Sequence, residues 1–145
     1  MSNEKRGRVL GVDYGDVRTG IAISDECRFL ASGIATLREN GMVRTAERVA
    51  AEAKSRGAVL IVCGLPRNMD GSEGPRAEVI RAFVGYLAGF TDIPIELYDE
   101  RLSTVEAHRY LSAADVSGRR RKAVVDTLAA EIILQGYLDA HKHIQ

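Results

Sequence analysis

The chain has 145 residues, 46% hydrophobic and 28% charged, with 20 basic and 20 acidic side chains and a formal net charge of +0. That suits a single soluble domain over residues 1–145 with a sizeable core. It also excludes any global pull on nucleic acid, so polyanion contact must come from local patches. No apolar run approaches the ~20 residues that span a bilayer. Met1–Arg8 lacks the apolar segment of a secretory signal, and Cys27 and Cys63 show neither metal-ligand spacing nor a disulfide framework; a cytoplasmic protein with reduced thiols is expected.

Residues 1–7 read as a frayed terminus. The next stretch, from Val9 to Asp25, reads as strand, glycine turn, strand. Leu10, Val12 and Tyr14 alternate with Val9, Gly11 and Asp13, and Ile21-Ala22-Ile23 resumes the apolar run after a turn bounded by Gly15 and Gly20. Strands are expected at 8–14, 19–25 and 29–37, close enough in sequence for an antiparallel meander. Met42, Ala46, Val49, Ala50 and Ala53 share one face of a helix that stops at Gly57. The continuous apolar run from Ala58 to Cys63 suits a strand buried on both faces.

Gly64 to Pro75 is a loop by its turn chemistry, and Pro75 can open a helix whose stripe is Ala77, Ile80, Phe83, Val84 and Leu87. A strand follows at 93–98. Ser103 and Glu106 have capping-box spacing for a short helix to about Leu111. Ser112–Gly118 reads as a linker, a last helix runs from about Arg120 to Ala140, and 141–145 reads as a flexible tail containing His141 and His143. The order βββαβαβαα implies a mixed five-stranded sheet with helices on its faces. The first, fourth and fifth strands then end on one edge, where ligands bind in open sheets.

Carboxylates from three segments of the chain belong to that edge by position. Asp13 stands at the end of an apolar strand, where a carboxylate costs free energy unless paired, hydrogen-bonded or metal-bound; on this stretch alone, bonding to turn amides accounts for it equally well. Asp99 and Glu100 follow the fifth strand. Asp126 lies inside the last helix, a poor place for Asp, and Ala129 and Ala130 on its face let the helix approach the sheet; exposure near a helix N-terminus is the alternative. Carboxylates gathered at one point repel. A hard divalent cation, Mg²⁺ or Mn²⁺, removes the conflict and suits phosphodiester hydrolysis. Asp99 is a ligand or only a turn residue. Asp16 and Asp25 read as turn residues, although Asp25 has a possible place near the metal edge.

Basic residues are local. Arg119, Arg120, Arg121 and Lys122 lie just upstream of Asp126 and favour phosphate contact. Arg18, Arg67, Asn68 and Arg76 rim the same edge, and Ser72 and the amides of that loop can hold a phosphate or a sugar. Arg101 is a further candidate for nucleic acid. No Ser-His-Asp or Cys-His arrangement is visible, and the few scattered aromatics argue against a base-stacking platform.

Four motifs stand in order: Gly11-x-Asp13-x-Gly15-x-x-Arg18-x-Gly20; Gly64-Leu65-Pro66-x-Asn68-Met69-Asp70-Gly71-Ser72-Glu73-Gly74-Pro75-Arg76; Asp99-Glu100-Arg101-Leu102-Ser103-Thr104-x-Glu106; and Lys122-x-x-Val125-Asp126-x-x-Ala129-Ala130. Over about Arg8 to Asp139 the chain resembles the YqgF (RuvX) family of pre-Holliday-junction resolvases. The resemblance implies a ribonuclease H-like fold and a metal-dependent nuclease acting on structured nucleic acid, RNA or junction DNA. It also implies a link with maturation of the small-subunit ribosomal RNA precursor. Asp13, Glu100 and Asp126 fall at the family's acidic positions. A homodimer would suit a two-fold symmetric junction. Two competitors use other chemistry: a non-catalytic ribosome-assembly factor binding RNA through the same face, and a sugar-kinase-like nucleotide binder, against which a single domain of this length argues.

Overall fold

A computed structural model of the protein describes residues 7–103 and 118–141, with the backbone alone at 103 and 118–126. The expected short helix, most of the linker, His108 and His143 lie outside the described residues. Strands β1 (Arg8–Asp13), β2 (Thr19–Ser24), β3 (Ala31–Leu37), β4 (Ala58–Leu65) and β5 (Ile95–Asp99) form one sheet in the order β3-β2-β1-β4-β5. The meander β1–β2–β3 is antiparallel, and β1–β4 and β4–β5 are parallel. The carboxyl ends of β1, β4 and β5 therefore open on one edge, as the strand order requires.

Alternation along the strands sends side chains to two cores. Helices α1 (Met42–Ser55) and α2 (Pro75–Phe90) cover one face. There Leu10, Val12, Ile21, Ile61, Cys63 and Leu65 meet Val49, Ala53, Ile80, Phe83 and Leu87. Helix α3 (Gly118–Ala140) covers the other face, where Val9, Ala22, Leu60 and Val62 meet Ala130, Ile133, Leu134 and Leu138. β4 is buried on both sides apart from Val59, which explains its unbroken apolar run. Cys63 is fully enclosed, and burial pushes its thiol up to about 12, so it stays protonated.

α3 lies close to the sheet because of what is missing beneath it. Gly11, Ala22 and Gly33 are register partners across β1, β2 and β3. A Cβ at Gly11 would fall 2.7 Å from Leu134 Cβ and 3.2 Å from the Ala130 carbonyl oxygen. The small residues that matter are thus in the strands as well as in the helix, where Ala130 is fully buried.

Several boundaries differ from the sequence reading. Phe29 and Leu30 belong to the β2–β3 turn: the Asp25 carboxylate accepts their two amides at 2.8 and 2.9 Å and stops the strand from starting earlier. Asp25 follows β2, whose Ser24 hydroxyl accepts the Val9 amide near the start of β1, so it is the turn residue expected and sits at the opposite edge from Asp13, not near the metal edge. The residues after β5 form a 3-10 turn, Glu100–Ser103. α3 begins at Gly118, so Arg119–Lys122 fall in its first turns instead of before it. The two ends of the described chain are anchored. Gly7 N–H donates to Glu26 O and its carbonyl accepts from Arg28 Nε, while the His141 ring stacks on Tyr137 at 4.0 Å. No described helix is long and apolar enough to cross a membrane.

Candidate active site

Asp13 is the last residue of β1, opposite Gly20 of β2, and is half-buried. The strand end is fixed by the next residue: the Tyr14 ring stacks on Phe83 of α2 at 4.4 Å. Arg76, in the first turn of α2, donates from Nη2 to the Tyr14 carbonyl (2.8 Å) and from Nη1 to Asp16 (3.2 Å), with its guanidinium over the Tyr14 ring. The hairpin that carries Asp13 is therefore tied to the start of α2.

Glu100 reaches the same place from β5. Leu65 pairs with Asp99 at the end of the parallel ladder, and the 3-10 turn begins one residue later. The Glu100 side chain turns back over β4, where a Cβ on Gly64 would lie 2.7 Å from Glu100 Oε2 and 2.6 Å from Ile133 Cδ1 of α3. Only a residue without a side chain leaves that lane open. The lane leads from β5 across β4 to β1. Glu100 is pushed up to about 7, first by burial and then by the negative charge of Asp13, with Arg76 offsetting part of the rise and Asp99 adding to it. The poorly solvated Glu100 thus lies close enough to Asp13 to feel its charge.

Asp126 is one residue before Thr127 in α3. Thr127 packs on Gly33 and Gln135 bonds the backbone of Phe29 and Ala31 at the far end of the sheet, so the helix runs with its N-terminal half towards the carboxylate edge. The side chain of Asp126 and those of Arg119–Lys122 lie outside the described residues. Among the described residues no group of three His, Cys, Asp or Glu side chains gathers into a metal-binding set.

Asp99 has a different task. Its carboxylate accepts Arg101 Nη2 at 2.7 Å, Nε at 3.0 Å and the Arg101 amide at 3.0 Å, and the hydrogen bonds from Arg101, with its charge adding to them, hold it below the usual carboxylate range. It closes the 3-10 turn. Of the other rim candidates, Arg67 pairs with Glu73 at 3.5 Å and Arg76 with Asp16. Asn68 donates to Ser72 Oγ at 2.9 Å, and Ser72 Oγ donates to Asp70 at 2.6 Å. These residues do gather at one edge with Arg18 of the β1–β2 turn, and their polar groups are largely engaged within the chain. Sequence reasoning missed Gly64 and Tyr14 as positioning residues. The Gly64 signal was present, a glycine at the end of a buried apolar strand.

Comparison with known proteins places this geometry in a family. A protein of Symbiobacterium thermophilum named "Putative pre-16S rRNA nuclease" is 47% identical over 133 residues, covering 92% of each chain. One of the same name from Myxococcus xanthus is 47% identical over 135 residues, covering 93% of this chain and 89% of that one. Among solved structures, RuvC of T. thermophilus in complex with Holliday junction substrate aligns with a TM-score of 0.57 at 11% identity, over 94% of this chain and 97% of that one. The fowlpox virus resolvase with its junction DNA aligns with a TM-score of 0.57 at 10% identity, over 93% and 99%. These likenesses show the ribonuclease H-like fold. Residues 7–140 match the RuvX family, described as Holliday junction resolvase, and the chain belongs to that nuclease family.

Proposed function

We propose that the protein is a metal-dependent nuclease that hydrolyses phosphodiester bonds in structured nucleic acid, with the precursor of small-subunit ribosomal RNA as its substrate in the cytoplasm and junction DNA as the alternative substrate. The names of the relatives support the substrate class. The observation that carries the chemistry is the Glu100 carboxylate, folded over Gly64 within reach of the charge of Asp13. Two carboxylates, one driven towards its protonated form first by burial and then by the charge of the other, supply hard oxygen donors of the kind that suit a divalent cation.

Asp13 and Glu100, completed by Asp126, would hold Mg²⁺ or Mn²⁺. The ion would supply the positive charge that cancels their repulsion and stabilises charge developing on the phosphate. The protein's own part is placement. β1 and the Tyr14–Phe83 stack fix Asp13 and the lane over Gly64 admits Glu100, while α3, with its N-terminal half towards that edge, would bring Asp126 to join them. Arg119, Arg120, Arg121 and Lys122, at the N-terminal end of α3, hold the nucleic-acid backbone beside the acids.

Asp13→Asn, assayed with Mn²⁺ on structured RNA and on four-way DNA, tests the reading. Cleavage is expected to fall by at least about a hundredfold, in line with the loss of a ligand that organises transition-state charge. Wild-type cleavage that this substitution leaves undiminished overturns it.

A further inference from the structure

The rim of the acidic edge carries three exposed large apolar side chains. Val17 is 72% exposed, Met69 97% and Leu102 68%. Each lies in the segment that follows one of the three parallel strands, β1, β4 and β5. Isolated exposed apolar residues are ordinary; three around one candidate site, on a stiffened frame, are not. The loop bearing Met69 is closed by Asn68 N–H to Ser72 O (2.8 Å), Gly71 N–H to Asn68 O (2.9 Å) and Ser72 N–H to Asp70 Oδ1 (2.9 Å). Arg101 Nη1 reaches the Met69 carbonyl at 3.4 Å while the same guanidinium grips Asp99. The Met69 loop is therefore fastened to the residue that directly follows Glu100.

The charges beside these side chains are engaged. Arg67, Arg76 and Arg101 face Glu73, Asp16 and Asp99. What this part of the rim offers a substrate is apolar surface held in place. Nucleic acid has apolar surface on its base faces, and a continuous duplex hides those faces in the stack. Met and Leu side chains serve as wedges between base steps, where unstacking costs a few kcal/mol, least at a base already unpaired. We propose that Met69, seconded by Leu102 across the Arg101 brace, lies against an unpaired base beside the scissile phosphate, so that the site selects strands carrying an unpaired nucleotide over continuous duplex. The inference rests on the nuclease reading and specifies its substrate.

The test compares a continuous RNA duplex with the same duplex bearing one bulged nucleotide, each with 2-aminopurine next to the bulge position. Binding is measured with Mg²⁺ in an Asp13→Asn background so that the RNA survives. The parent is expected to bind the bulged RNA at least about tenfold more tightly, with a rise in fluorescence as the base unstacks. Met69→Ala should bring that ratio towards one and abolish the rise, and Met69→Leu should keep both; melting temperatures should match, since the side chain is almost wholly exposed. A Met69→Ala protein that keeps the ratio and the fluorescence rise overturns the inference, as does a parent that binds both RNAs equally; either leaves the nuclease reading standing. A parent that binds neither RNA, with wild type leaving both uncut, overturns that reading itself.

Discussion

Glu100 occupies the space that any side chain at position 64 would need: its Oε2 atom would lie 2.7 Å from a Cβ on Gly64, with Ile133 of α3 pressing from the same side at 2.6 Å. The end of β4 is thus a passage that admits an acid from β5, close enough to Asp13 on β1 to feel its charge. Gly64→Ala should close it. Ile133 belongs to the packed core under α3, so the displaced group is the Glu100 carboxylate. We expect cleavage to fall at least about tenfold, since small misplacements of catalytic groups are expensive, and stability to fall by about 1–3 kcal/mol from overpacking. Cleavage with Mn²⁺ alongside urea unfolding checks both. Full activity in a folded Gly64→Ala protein would show that Glu100 need not lie in this lane.

The same crowding sets a stability–pH relationship in metal-free protein. Glu100 titrates near 7 in the fold against an ordinary 4.5, raised by burial and by Asp13. A raised acid favours the folded state only while protonated. Its contribution is fully present below about 4.5 and is lost as pH rises through about 7. Glu100→Gln removes the penalty. In EDTA at pH 8 the variant should be more stable than wild type by about 2 kcal/mol, and near pH 4 the two should converge. Denaturant titrations at the two pH values provide the measurement, and a variant less stable at pH 8 than at pH 4, relative to wild type, would contradict the assigned cause.

How much of this was legible in the sequence depends on the range of the interaction. The five strands, α1, α2 and the shared edge follow from local periodicity and chain order, because alternation at Leu10-Val12-Tyr14 and the unbroken Ala58–Cys63 run report which faces are covered. Asp13 and Glu100 were legible as acids at strand ends. The braces were not. That Arg76 would hold Tyr14 and Asp16, and Arg101 would hold Asp99, depends on contacts across loops whose charges read equally well as free phosphate ligands. Asp25 reads as a turn residue and is one, its carboxylate accepting the amides of Phe29 and Leu30; only its possible place near the metal edge fails, because β2 runs antiparallel to β1 and ends at the opposite edge. The spacing beneath α3 was half legible, since Ala130 was visible as a small helix residue while Gly11 and Gly33 count only once register lines them up.

The braces divide the basic residues into two classes that salt can separate. A Lys or Arg that neutralises a phosphate contributes about 0.7–0.9 to the slope of log K against log salt, with the smaller value for single strands. Arg101 is held by Asp99 through its Nε and Nη2 groups, so Arg101→Ala should change the slope by well under one while loosening the Met69 loop. Arg119, Arg120, Arg121 and Lys122 form the densest run of positive charge in the chain and enter the first turns of α3. Replacing all four with Ala should lower the slope by about 3 and weaken binding to RNA and DNA alike, because phosphate contacts carry no sequence information. Binding isotherms for both variants on one structured RNA, at several salt concentrations, decide the matter. A larger loss of slope for Arg101→Ala than for the fourfold variant would mean that Arg101 leaves Asp99 for the phosphate when substrate arrives, and that the end of β5 is a contact surface instead of a fixed frame.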